Sequence, residues 1–458
     1  MHTEIGNQLI ITDPSDEIVR WVKDNLEFEN PDYLKKKRMG LWTGKTPAML
    51  HLYEVNGNKI ILPFGCLRQV MPMLNNDTVQ TFTPINKLDD FGNLVPLYDY
   101  QEEAVDMMYH NHYGILQSPA GSGKTQMGIA LAQRFGERTL WLTHTRDLLD
   151  QSKERAMQYI NPDKLGTITN GFVNIGETMT FATVQTMSRL ILEYYKDEWD
   201  VIIVDECHRV AGTPTTITQF SRVLNSLRAR HKYGLSATVH RADGMIRATY
   251  AYLGNVVHVV PDSAVKDRIM TVKVEPIQCT TTGYSEDYLN FDGTINYARL
   301  LNYLVENEGR NRQILDCLCE NQNHSNLILS DRVSHLNYLY SELPEHLQAK
   351  ASVIDGKTRK DFREKAIEDM RTGEKKYLFA TYSLAKEGLD IPRLDRLYLV
   401  TPQKDYAVIT QSVGRVARTF EGKETPIVYD FVDSGIKYLF KSYKQRCSHY
   451  RKLRCELE

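Results

Sequence analysis

A strand, a glycine-rich loop and a helix follow one another around residues 114–132, and no other feature limits the possible folds of this chain as tightly. The apolar run Gly114-Ile115-Leu116 leads into Ser118-Pro119-Ala120-Gly121-Ser122-Gly123-Lys124-Thr125, and Gln126-Met127-Gly128-Ile129-Ala130-Leu131-Ala132 continues in a helical pattern. Such a loop closes its backbone N–H groups around phosphates at the positive end of the helix. Pro119, Ala120, Gly121, Ser122 and Gly123 therefore read as a cradle for a nucleoside triphosphate. Lys124 supplies a point charge for the β/γ oxygens, and Thr125 offers a hydroxyl to Mg²⁺. Ser118 stands where the consensus pattern has glycine.

A second apolar run, Val201-Ile202-Ile203-Val204, ends in Asp205-Glu206-Cys207-His208. Open α/β sheets place ligands at the carboxyl ends of their strands, so Asp205 is positioned to hold Mg²⁺ and Glu206 to orient or deprotonate an attacking water. Further along come Thr145-Arg146-Asp147-Leu148, Thr183-Val184-Gln185-Thr186 and Ser236-Ala237-Thr238. The later half holds Ala380-Thr381-Tyr382-Ser383, Glu387-Gly388-Leu389-Asp390-Ile391-Pro392 and Gln411-Ser412-Val413-Gly414-Arg415-Val416-Ala417-Arg418. Read as one helix, the last segment places Arg415 and Arg418 on a single face at i and i+3.

This order of motifs resembles the superfamily 2 helicases of the DEAD/DEAH type, here with a DECH box, across most of residues 97–435. Gly234 to Thr238 followed by Arg241-Ala242-Asp243-Gly244, and the strand Val428 to Asp433, are similar to the XPB-like and phage UvsW-like DNA-repair and branch-migration group. The resemblance implies two RecA-like parallel-sheet motor domains, ATP and Mg²⁺ as cofactors, and DNA, single-stranded and as forked or branched duplex, as partner. It assigns Gln101 to the adenine, Gly388, Asp390 and Gln411 to the ATP site, and Arg415 and Arg418 to an arginine-finger role beside Lys124 and Glu206. Coupling between hydrolysis and movement falls to Ser236, Thr238 and His208. The nucleic-acid contacts fall to Thr145, Arg146, Thr183, Gln185, Thr186 and Thr381.

At 458 residues the chain has room for about three domains. Strands and helices alternate over Gly114–Val260 and Asn326–Val432, the pattern of two parallel sheets. The expected division is an N-terminal accessory α+β domain at 1–93, motor domains at 94–262 and 301–435, a linker and docking segment at 263–300, and a basic helix at 436–458. The accessory segment has a helix signal at Asp16–Leu26 capped by Ser15, and a hairpin signal turning at Asn56-Gly57. It also carries Lys35-Lys36-Lys37-Arg38, followed by Trp42 and Lys45, a cluster suited to phosphate contact. Because the motor motifs are complete from Gln101 onward, this segment is not expected to be needed for the ATP site. The C-terminal helix offers either a duplex contact or a packed terminal element.

The formal net charge is −2, so contact with a polyanion must rest on local clusters. Seven cysteines without metal-binding spacing read as reduced thiols. The N-terminus has no leader pattern and no apolar stretch reaches bilayer length, which leads to the expectation of a soluble, cytoplasmic protein, phage-encoded forms in a bacterial host included. The expected function is an ATP-dependent DNA helicase or translocase acting with replication or recombination proteins. The rival readings are an RNA helicase and a nucleotide-gated clamp that binds without unwinding.

Overall fold

In a computed structural model, described over residues 1–457 apart from 45, 75–76, 83–86, 120, 170, 211–213, 238–244, 280, 282–285 and 387–388, the strands form an eight-stranded and a seven-stranded main sheet, with a five-stranded sheet and a two-stranded pair in the N-terminal segment. Contacts divide the chain into the units Met1–Ala264 and Val265–Glu458. Among the described residues, no helix is long and apolar enough to cross a membrane. Ala120, Thr238, Arg241, Ala242, Asp243, Gly244, Glu387, Gly388 and Lys45 lie outside the described residues.

The main sheet of the first unit runs in the order Phe172–Asn174, Leu165–Thr169, Met179–Thr183, Thr139–Thr143, Val201–Asp205, His231–Ser236, Tyr113–Gln117, Val256–Val259. All neighbours are parallel except the first pair. Val201–Asp205 is buried along its whole length with a strand on either side, which accounts for its unbroken apolar sequence. Gly234 sits on the neighbouring strand where an added Cβ would lie 2.7 Å from the sulfur of buried Cys207, so these two positions fit each other by size.

The second unit has a wholly parallel sheet in the order Ala351–Ile354, Tyr377–Thr381, Asn326–Ser330, Arg396–Leu399, Ile427–Val432, Lys273–Gln278, Glu456–Leu457. The segment expected as a linker at 263–300 thus supplies a strand of this sheet. Lys273–Gln278 pairs with Ile427–Val432 in full register. The terminal helix Lys437–Lys452 packs on the same unit. Arg446 makes a two-pronged bond to Asp430, at 2.8 and 2.7 Å, and the Tyr450 hydroxyl donates to the same carboxylate at 2.9 Å. A buried bidentate pair with every prong matched is the form in which an interior charge is tolerated.

The N-terminal segment differs most from expectation. Its helix Asp16–Leu26 is capped by Ser15 as the sequence indicates. Its hairpin pairs Asn56 with Lys59, so the turn is Gly57-Asn58, one residue later than expected, with Gly57 at φ 61°. Met49–His51 leaves the hairpin to pair with Glu27–Glu29. The segment is no detached module, since its apolar residues form one core with those of the first motor sheet. Phe64 meets Tyr113 edge to face at 5.0 Å. Lys232 is fully buried and donates to the Asn7 carbonyl at 3.1 Å and the Leu224 carbonyl at 2.7 Å, with its ammonium 5.2 Å from the Phe64 ring. Uncovering even five large apolar side chains, at roughly 1.5–3 kcal/mol each, matches the total stability of a typical domain. Removal of residues 1–93 is therefore expected to destabilise the first unit.

Backbone meets backbone where a Cβ on Gly65 would lie 2.4 Å from the Gly254 nitrogen and 2.5 Å from the Tyr250 carbonyl. Neither atom can rotate away, so Gly65→Ala is expected to cost about 1–3 kcal/mol by overpacking. Thermal unfolding monitored on the full chain checks this, and an unchanged Tm would show that the junction is loose.

Candidate active site

The phosphate loop is held open from within. Ser118, in the consensus glycine position, is buried, and its hydroxyl donates at 2.5 Å to Ser122, whose hydroxyl donates at 2.7 Å to the Pro119 carbonyl. The unusual serine is thus absorbed as a brace inside the loop. Gly121 and Gly123 adopt φ of 81° and 82°, where a side chain is strained. A Cβ at Gly123 would also lie 2.4 Å from Gln101 Nε2. Helix Lys124–Phe135 follows directly.

Gln101, assigned by resemblance to the adenine, is buried with both ends of its amide engaged. Its oxygen accepts from the Tyr98 N–H at 3.0 Å and its nitrogen donates to the Ser122 carbonyl at 2.8 Å. Tyr100 donates to the same carbonyl at 3.0 Å, and its ring stacks on that of exposed Tyr98 at 6.2 Å. Gln101 in this structure holds the loop's shape. The exposed aromatic face beside it belongs to Tyr98, which stands where many relatives of the resembling group have arginine.

Asp205 and Glu206 end the central strand beside the loop. Asp205 accepts from the Glu206 N–H at 2.9 Å. Burial, and next the Glu206 charge, raise the Asp205 carboxyl above the carboxylate range, opposed by Lys124. For Glu206, burial opposes ionisation, but His208 and Lys124 outweigh it and hold the carboxyl low. His208 Nδ1 lies 3.2 Å from Glu206 and 3.0 Å from the Ser236 hydroxyl. Glu206 itself takes φ 49°, ψ 50°, a left-handed conformation that costs a non-glycine residue on the order of 1–3 kcal/mol and gathers at functional sites. Lys124, whose ammonium bonds the Ser118 and Pro119 carbonyls at 3.3 Å each, completes a site with the buried Asp205 carboxylate, the half-buried Glu206 carboxylate and the Thr125 hydroxyl. Hard oxygen donors of this kind suit Mg²⁺, and a ring of backbone N–H groups suits phosphate.

The residues assigned to nucleic acid in this unit share one end of the sheet, where Thr183 pairs in register with Thr143. The Thr145 hydroxyl caps helix Arg146–Ala156 and that of Thr183 caps Val184–Met187, bonding Thr186 as well. Gln185 pairs with His144 at 3.1 Å, and Arg146 with Asp150 at 3.0 Å. In the N-terminal segment Lys35, Lys37 and Arg38 are exposed, whereas Lys36 bonds Thr46 at 2.7 Å.

In the second unit helix Tyr406–Val416 carries Gln411 and Arg415, but it ends before Arg418. The expected shared face is not formed. Arg418 bridges to Ile269 and forms an ion pair with Asp390, while Arg415 donates to the Ala385 carbonyl at 3.2 Å. The helix stops because Lys423 donates to the Val416, Arg418 and Pro392 carbonyls, at 2.7, 2.6 and 3.0 Å, which uses all three ammonium protons. Upstream, five side chains each bond one carbonyl of Val400 to Lys404: Arg310, Tyr382, Tyr297, Arg446 and His449. Tyr382 lies within the quoted Ala380–Ser383 segment, whereas the other four lie outside every quoted motif and were not legible as site residues. The Gln411 side-chain oxygen is buried without a hydrogen-bond partner among the described residues. Thr381 ends its strand with its hydroxyl 3.0 Å from that of Ser383.

Residues 94–241 match the family model described as type III restriction enzyme, res subunit, and residues 309–420 match the helicase conserved C-terminal domain. The chain is 28% identical over 416 residues to L396 of Acanthamoeba polyphaga mimivirus, a protein named as an ATP-dependent RNA helicase, covering 89% of this chain and 77% of that one. It is 23% identical over 462 residues to XPB of Schizosaccharomyces pombe, the general transcription and DNA repair factor IIH helicase/translocase subunit. That match covers 93% of this chain and 55% of XPB. S. cerevisiae Dbp5 bound to RNA and ADP BeF3 superposes with a TM-score of 0.56 at 17% identity, over 86% of this chain and 93% of that one. The two parallel-sheet units are thus of the RecA-like type.

Lys423 fixes the backbone that carries both arginines, and errors of about 1 Å in such groups can cost on the order of a hundredfold in rate. Lys423→Met is accordingly expected to lower kcat for ATP hydrolysis by roughly tenfold or more, with a much smaller change in KM. Steady-state ATPase kinetics check this; a variant that changes only KM, or neither constant, would assign Lys423 to packing alone.

Proposed function

We propose that this chain, which belongs to the superfamily 2 helicases, is a DNA helicase or translocase that spends ATP on unwinding or branch migration of forked or branched duplexes in replication, recombination or repair. It is an ATP-dependent helicase, and its partner is nucleic acid. The observation that carries the reading is the pair of adjacent carboxylates, buried Asp205 and half-buried Glu206, set against Lys124 beside the phosphate loop with His208 3.2 Å from Glu206, since a pure binding switch has no need of a second carboxylate there.

In this reading the loop amides and Lys124 bind the phosphates of ATP. Thr125 and Asp205 are the residues that would hold Mg²⁺, which would supply neutralisation of charge on the phosphate oxygens. Glu206, kept ionised by His208 and Lys124, takes a proton from the attacking water. His208 also reaches Ser236, so the state of the nucleotide can be felt along the His231–Ser236 strand. Arg415 and Arg418 stabilise charge developing on the transferred phosphoryl group, for which Arg418 must leave Asp390. The exposed ring of Tyr98 stacks on the base. Lys35, Lys37 and Arg38, with exposed Trp42 nearby, contact a duplex arm.

The similarity to XPB, whose name assigns it to DNA repair and which matches 93% of this chain, supports DNA. The name of L396 supports RNA as the second reading. ATPase activity measured in parallel with single-stranded DNA, duplex DNA, forked DNA and RNA separates them. Forked or single-stranded DNA is expected to stimulate most, and Lys124→Ala to abolish turnover while leaving DNA binding largely intact. Stimulation by RNA alone would replace the DNA reading, and near-normal turnover in Lys124→Ala would remove the assigned site.

A further inference from the structure

We propose that the outer face of the C-terminal helix Lys437–Lys452 is a further nucleic-acid contact, gripping the phosphodiester backbone through Lys437, Lys441, Lys444 and Arg451. The proposal rests on the helicase reading for the presence of the polymer, but its residues belong to none of the motifs that give that reading.

The helix has two faces with different tasks. Leu439, Ser442, Arg446 and Tyr450 are buried, and Arg446 and Tyr450 are tied to Asp430. Opposite them lie positions 437, 441, 444, 448 and 451, which at 3.6 residues per turn fall within one narrow stripe about 21 Å long. All five are exposed, and four are basic. Exposed Lys452 and Arg454 extend the charge at one end. No Asp or Glu occurs from Ile436 to Cys455, so the repulsion along the stripe is not relieved within the helix. None of the four cations has an ion pair among the described residues; Lys444 lies 4.8 Å from the Phe440 ring.

A merely solvated helix would be expected to intersperse acids at i±4 or to keep its cations near the C-terminus, where the helix dipole favours them. Arg451 meets the second condition. Lys437 does not, because it opens the helix, where the dipole opposes a cation, and Lys441 and Lys444 lie in the middle turns. The stripe therefore has no acid to relieve its repulsion and only Arg451 where the dipole helps, in a chain whose overall charge is −2. A polyanion removes that cost. Because the buried face fixes the helix on its unit, the cations are presented on a rigid rod, at axial spacings of about 6 and 4.5 Å from Lys437 to Lys444 and about 10.5 Å on to Arg451. Such a rod suits a repeating phosphate chain, and it offers no base-reading groups, so the contact is independent of sequence.

The test compares the full chain with Lys437→Gln/Lys441→Gln/Lys444→Gln/Arg451→Gln, and with a charge-matched control, Lys350→Gln/Lys357→Gln/Arg359→Gln/Lys365→Gln, whose sites are exposed elsewhere on the same unit. Fluorescence anisotropy follows binding to single-stranded DNA, duplex DNA and RNA between 50 and 200 mM salt. The helix variant is expected to bind about tenfold or more weakly at low salt. The slope of log K against log salt should fall by about 3 for the polymer held there. ATPase activity without nucleic acid should not change, and the control should keep the wild-type slope. The polymer whose slope falls identifies the strand type gripped. An unchanged slope in the helix variant, or an equal fall in the control, overturns the proposal while leaving the helicase reading in place. A full chain that binds no nucleic acid at all would remove both.

Discussion

Two adjacent carboxylates at the end of a central strand, Asp205 buried and Glu206 half-buried, are the constraint around which the first unit is organised. Side by side, with Asp205 withdrawn from water and Glu206 partly so, the two charges would be destabilising without compensation. Lys124 faces both, the Glu206 N–H bonds Asp205, and His208 lies against Glu206. Those partners are available only because the parallel order of the sheet sets the Asp205 strand between its neighbours and the loop folds back onto its own carbonyls. The left-handed backbone at Glu206 is a further cost that packing alone does not require.

Much of this was legible in the chain. Strands buried on both faces must be continuously apolar, so Val201–Asp205 and Asn326–Ser330 announce themselves, and glycines at φ near 80° leave few readings for the loop. What was not legible depends on partners distant in sequence. The helix of Arg415 stops short of Arg418 because Lys423 and Pro392 come together there, and nothing in the spacing of the arginines records this. Gln101 reads as a base contact by its place in a motif, whereas its amide is occupied by Tyr98 and Ser122.

The N-terminal segment shows the same limit. Its helix and strands follow local signals, yet its attachment depends on a glycine pressed against another backbone and on Lys232, which in sequence looks like any strand lysine. Polar groups that end on carbonyls of another segment leave no periodic trace. In the second unit the same device recurs, with side chains from four regions bonding the carbonyls that precede the arginine-bearing helix. Position in these units is set by such cross-links, and burial supplies most of the stability.

The central claim is that Glu206 is held ionised to act on water while its neighbours bind the nucleotide. Glu206→Gln keeps the shape of the side chain and removes its charge. Measured in one preparation, ATP affinity is expected to stay within a few-fold of the unaltered chain, whereas single-turnover hydrolysis should fall by on the order of a hundredfold or more. Loss of nucleotide binding together with turnover, or hydrolysis at the unaltered rate, would contradict the account.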